Sequence, residues 1–86
     1  MLGKIINGVE QIERLAKHSS DASQAKNAIQ SVRDLIRSSD RDLKQLDSEL
    51  STWQSKLEVI YREPVGRQGM AKHAAHWAEK LRKINV

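Results

Sequence analysis

The chain has 86 residues, no cysteine, no phenylalanine and a formal net charge of +4. That length allows a single domain, and the lack of cysteine removes disulfides, thiolate nucleophiles and Cys-ligated zinc together. With Trp53, Tyr61 and Trp77 as the only aromatic residues, the core has to be built from Leu, Ile, Val and Ala, which interdigitate as helices more readily than as a sheet.

The first predicted element is a helix over 2–18. Leu2, Ile5, Ile6, Val9, Ile12, Leu15 and Ala16 fall on one face, and Lys4, Glu10, Glu13, Arg14 and Lys17 on the other. It is expected to stop near His18, because Ser19, Ser20 and Asp21 cap helices rather than extend them, and Asp21 with Gln24 has capping-box spacing. As an interfacial membrane helix it lacks the aromatic anchors and the cationic polar face. No apolar run approaches the roughly 18 residues that span a bilayer, and the first ten residues are too polar for a secretory signal. A cytoplasmic protein without a membrane span is expected.

From Ala22 to Ile60 apolar residues recur in alternating steps of three and four, including Ile36, Leu43, Leu46, Leu50, Trp53, Leu57 and Ile60. This heptad pattern predicts one central helix over 21–62, roughly 63 Å long at about 1.5 Å per residue. Ser39 is the one polar residue on the stripe. It sits in Arg37-Ser38-Ser39-Asp40, which echoes His18-Ser19-Ser20-Asp21, so a break near Ser38–Asp40 and a four-helix up-down bundle form the alternative.

Pro64-Val65-Gly66-Arg67-Gln68-Gly69 reads as a loop over 64–69. A last amphipathic helix over 70–85 carries Met70, Ala74, Trp77, Leu81 and Ile84 on its apolar face. The chain is thus expected to be all-α, a single helical domain over 1–86. Two short helices fold back on a long one as α-hairpins. Two short helices cannot cover all of a long stripe, so a second copy of the chain is expected on the remainder. Neither heptad frame offers the complementary flanking charges of a parallel coiled coil, which favours an antiparallel or bundle-type dimer.

Functional signals are sparse. No nucleophile motif, phosphate-binding glycine loop or paired buried carboxylate is present, and no catalytic residue, cofactor or metal is expected. His73, His76 and Glu79 spread over roughly 120° of helix surface, too far round to converge on a metal. The charge is the sharper feature. Residues 1–60 carry nine basic and nine acidic side chains, whereas 61–86 carry six basic ones against Glu63 and Glu79. Lys72, His73, His76, Lys80 and Lys83 fall within an arc of roughly 100° on the last helix, with Trp77 at its edge and Arg67 preceding it.

These residues predict a non-enzymatic interaction module, such as an adaptor, inhibitor or assembly component, that self-associates through the stripe and presents its basic last helix to another protein. The alternatives are a small nucleic-acid-binding protein, in which the lysines contact phosphates and Trp77 stacks on a base, and an accessory subunit of a larger complex.

Overall fold

The computed structural model describes residues 2–84. Every regular element among them is helical: α1 (Leu2–His18), α2 (Ala22–Ser38), α3 (Lys44–Ser55), α4 (Leu57–Ile60) and α5 (Pro64–Ile84). Among the described residues no helix is long and apolar enough to cross a membrane.

α1 forms where its spacing predicts, burying Leu2, Ile5, Ile6, Val9, Ile12 and Ala16. Lys17 and His18 close it at the negative end of its dipole. The turn that follows is held by side chains: Ser19 Oγ accepts from the Asp21 N–H at 3.1 Å, and Asp21 Oδ1 accepts from the Ser23 N–H at 2.9 Å, capping α2.

The helix expected over 21–62 is not continuous. α2 ends at Ser38 and α3 begins at Lys44. The chain turns between them by repeating the first turn's chemistry. Ser39 Oγ accepts from the Arg41 N–H at 3.1 Å, and Asp42 Oδ1 accepts from the Lys44 N–H at 3.3 Å. The heptad phase passes through the turn because its last residue is Leu43, which tucks back against the core with 8% of its surface exposed. Periodicity therefore reports that each rod buries a stripe, not that the rods are one.

α3 and α4 do form a single bent rod. Lys56 between them leaves ideal helical geometry, with φ −106° and ψ 13°. Even so, its N–H still donates to the Thr52 carbonyl at 3.0 Å and its carbonyl accepts from the Ile60 N–H at 2.9 Å.

Side-chain bonds fix the register. Arg33 of α2 reaches Asp47 and Gln54 of α3. Glu49 of α3 meets Trp77 of α5, and Glu10 of α1 pairs with Arg82. Each rod thus runs antiparallel to its neighbours, α1 lies between α2 and α5, and the radius of gyration is 12.0 Å. That matches the ~12 Å expected of one compact chain of this length.

The loop expected over 64–69 is helix. Pro64 occupies the first helical position, where its missing N–H would have had no partner in any case. No described residue has a positive φ, so Gly66 is not in the chain to turn it. It is there for space: a Cβ built on it would overlap the Ile60 carbonyl oxygen and lie 3.0 Å from the carbonyl carbon. Gly8 plays a similar part between α1 and α2, where an added Cβ would lie 2.5 Å from Val32 Cγ2. The predicted end of the last helix at Asn85 lies outside the described residues.

The apolar face of α5 also differs from the expected one. Its buried residues are Met70, Ala71, Ala74, Ala78 and Leu81, while Trp77 is partly buried and Ile84 is 48% exposed. The face is turned toward α1 because alanines at 71, 74 and 78 let the two helices approach closely. Small residues carry little hydropathy signal, and the larger Trp77 and Ile84 misplaced the stripe.

The predicted seam is buried within one chain. Ile36, Leu43, Leu46, Leu50, Trp53 and Leu57 are each 9% exposed or less, and Ile60 is partly buried. α1, α2 and α5 cover what the two short helices were expected to leave open, so the stripe does not need a second copy to keep it dry. Among the described residues no polar or charged residue is buried as a whole.

Two side-chain features of the fold have measurable consequences. Between α2 and α3 a half-buried chain of bonds runs from Asp47 through Arg33 (Nε to Oδ1, 3.0 Å) to Gln54 (Nη1 to Oε1, 2.8 Å). Gln54 continues it to Gln30 (2.9 Å), which donates to Asp34 (2.9 Å). Arg33→Ala is expected to cost about 1–2 kcal/mol, charged hydrogen bonds discounted for partial exposure. Arg33→Lys should recover only part of this, because an ammonium lacks the planar fork that serves two acceptors. Urea unfolding reads both, and a wild-type midpoint for Arg33→Ala would show the network to be idle.

At the opposite end, the Tyr61 hydroxyl is buried without a hydrogen-bond partner. Burial raises its pKa above the ordinary 10.0; Arg67 opposes the rise and Asp21 adds to it. The neutral phenol is the form the fold favours, so its contribution is complete below pH 10.0 and is lost as the pH climbs through the raised value. Tyr61→Phe loses no bond and is expected to be neutral or stabilising by up to about 1 kcal/mol at pH 7. It should also retain more stability in alkali than the wild type. Since Tyr61 is the only tyrosine, phenolate absorbance follows it alone, and a titration midpoint at or below 10 would contradict the burial.

Candidate interaction surface

The predicted partner-binding residues all lie on α5, and the helix distributes them among three environments. Arg67 faces inward. Its guanidinium donates to the Ser19 carbonyl at 3.0 Å and ties the start of α5 to the α1–α2 turn, so it is a structural strap and not part of the basic face.

His73 and Trp77 form the border with α3. The Trp77 indole N–H donates to Glu49 Oε2 at 2.7 Å, and His73 Nδ1 lies 3.7 Å from Glu49 Oε1. The imidazole is a charge partner for that carboxylate only when protonated. A histidine beside a carboxylate also occurs in catalytic sites. Here the His73 side chain is 66% exposed and the carboxylate is already engaged by the indole.

Lys72, His76, Lys80 and Lys83 occupy the outward face and are exposed. Lys80 Nζ sits 5.0 Å from the Trp77 ring centroid, a cation–π contact. Lys83 lies 4.0 Å from Glu79 one turn back. The ion pairs of α5 among the described residues involve His73, Arg82 and Lys83, which leaves Lys72 and Lys80 outside any ion pair, although Lys72 shares a groove with Glu13 and Lys80 one with Asp42. The strip is therefore positive along its middle, with Glu79 at one edge and Glu13 of α1 and Glu49 of α3 beyond its two borders.

Trp77 is poorly placed to stack on a base. Its N–H is held by Glu49 and its ring lies beneath Lys80, so a planar ligand would have to displace both. Beside it is an open groove of about 560 Å³ between the start of α3 and the end of α5, with Leu43, Leu46, Trp77 and Ile84 among its lining and Lys44 and Lys80 at its rim. A smaller groove of about 260 Å³ lies where α5 meets α1, lined by Lys72, Ala71 and Ala75 with Lys17, Glu13 and Gln68.

Glu49 is the residue that sequence reasoning missed. It flanks the seam between Leu46 and Leu50 and looks like a solvated charge. An antiparallel hairpin folded at 61–63 brings 49 opposite 73–77, just as it brings Ile60 onto Gly66, so the hairpin register held the signal. Among the described residues no group of three or more His, Asp or Glu side chains is arranged to hold a metal ion. Comparison of the chain with family models, curated proteins and solved structures gives no match.

Proposed function

We propose that this chain is a non-enzymatic protein-interaction module that presents the outward face of α5 to a partner protein. The observation that carries this reading is the division of labour on α5. Its inner side is used up by α1 and by the α3–α4 rod, while its outer side gathers Lys72, His76, Lys80 and Lys83, all exposed and outside the buried core. Charge held apart from the core in this way speaks to partners rather than to the fold.

Self-association, expected from the heptad stripe, loses its motive once Leu46, Leu50, Trp53 and Leu57 are covered from within. A folded monomer is the expected result of sedimentation at micromolar concentration, and an adaptor or an accessory subunit fits it equally. A dimer would restore the second copy to the reading.

The decisive experiment is affinity capture from extracts of the chain's own host with the wild type and with the Lys72→Glu/Lys80→Glu/Lys83→Glu variant, after circular dichroism has shown both to be folded. A protein retained by the first and lost by the second supports the proposal. Identical capture by both, or none, refutes it. Nucleic acid retained at about 50 mM salt and shed steeply as salt rises would put a phosphate backbone in the partner's place.

A further inference from the structure

We infer that the surface recognised by α5 is an acidic amphipathic helix of the partner protein, laid along the outward row and approaching most closely at Gly69. The inference rests on the interaction reading above and names the partner's chemistry.

Its first support is spacing. Lys72, His76, Lys80 and Lys83 follow one another at four, four and three residues, a nearly straight row of roughly 16 Å at about 1.5 Å per residue. Carboxylates at the same intervals on a second helix repeat at the same pitch and meet them one for one.

Its second support is the row's border. Glu79 stands at its edge, and Glu13 and Glu49 lie on the neighbouring helices. A continuous phosphate chain would be pressed against like charge there, whereas a helix with discrete side chains can set a cation opposite Glu79. The engagement of Trp77 by Glu49 and Lys80 removes the stacking platform that single-stranded nucleic acid uses.

Its third support is Gly69. Glycine inside a helix is destabilising relative to alanine, and Gly66 and Gly8 are required by a neighbour's atoms. Gly69 is not: a Cβ added there, as at Gly3 near the start of α1, meets nothing within 4 Å. It lies on the side of α5 that carries the row, one turn before Lys72 and His73, where the absence of a side chain lets another backbone come close. Val65, 74% exposed, and Ile84, 48% exposed, add apolar contacts near the two ends. An amphipathic helix can engage such contacts and a phosphate backbone cannot.

The test uses three probes on the isotope-labelled full chain, followed by amide shifts. One is a helical peptide with glutamates at i, i+4, i+8 and i+11 and leucines at its ends; the second is an isomer with the same residues redistributed around the helix; the third is a short DNA duplex. The row peptide should bind at least tenfold tighter than the isomer, with shifts confined to the outward positions of 65–84. Lys72→Glu/Lys80→Glu should cut its affinity at least tenfold. Gly69→Leu should do the same with a melting temperature no lower than the wild type's, since the added Cβ meets open space and leucine is the better helix former.

Equal binding of the isomer, an unaffected Gly69→Leu variant, or no binding by the row peptide overturns the acidic helix. The broader reading survives those results if host capture still depends on the three lysines, and falls with it if capture does not. Tighter binding of the duplex than of the peptide at physiological salt overturns both.

Discussion

Gly66→Ala is expected to destabilise the fold by about 2–4 kcal/mol, the range of severe overpacking. The added methyl would overlap the Ile60 carbonyl oxygen and crowd the Ile60 carbonyl carbon at 3.0 Å and Cα at 3.1 Å. These are backbone atoms at the end of α4, so no side-chain rotation relieves the clash. The α4–α5 corner would have to open, pulling Arg67 off the Ser19 carbonyl. A domain of this length has roughly 4–13 kcal/mol to lose, and the melting temperature should fall by roughly 10–30 °C. Gly69→Ala is the control from the same helix. It meets nothing and should raise stability by about 0.5–1 kcal/mol, because alanine is the better helix former. The same substitution three residues apart thus carries opposite signs, and a Gly66→Ala protein that melts with the wild type would mean that the two helices do not meet as described.

Leu50→Ala is expected to cost about 3–5 kcal/mol, the transfer energy of the lost side chain together with the cavity it leaves. Leu50 has no exposed surface and lies among the largest fully buried side chains, midway along α3. The measurement that gives this prediction its edge is concentration dependence. If the seam lay between two chains, the wild-type melting temperature would climb with protein concentration and Leu50→Ala would shift the oligomer equilibrium. With the seam inside one chain, both melting temperatures should be constant from micromolar to millimolar and differ by the same amount throughout. A concentration-dependent transition would return Leu50 to an interface.

The helical class, the extent of α1 and the Asp21 cap were legible in the sequence because each depends on neighbours within a turn or two. The break after Ser38 was half legible. Its capping residues were visible as an echo of the first turn, but Leu43 kept the heptads in step and masked it. Pro64 and Gly66 were misread as a loop because each has two physical uses. Proline suits the first position of a helix as well as a turn, and glycine yields room as well as freedom of φ; only the presence of Ile60 alongside decides between them. The interaction surface divides the same way. The outward lysines follow from helical rotation alone, whereas the inward use of Arg67 and the hold of Glu49 on Trp77 are tertiary facts, 48 and 28 residues apart in sequence.

The seating of α1 between α2 and α5 has a consequence for how the molecule is made. The α1–α2 hairpin can close as soon as both helices have left the ribosome, but it leaves greasy surface bare until α5 arrives, after the intervening rod has been synthesised. Pairing elements so distant along the chain carries a loop-closure cost that must be met before any contact rewards it. Until α5 is docked, the α1–α2 hairpin is therefore expected to be the sticky part of the nascent chain, because the surface it later buries is still open to other molecules.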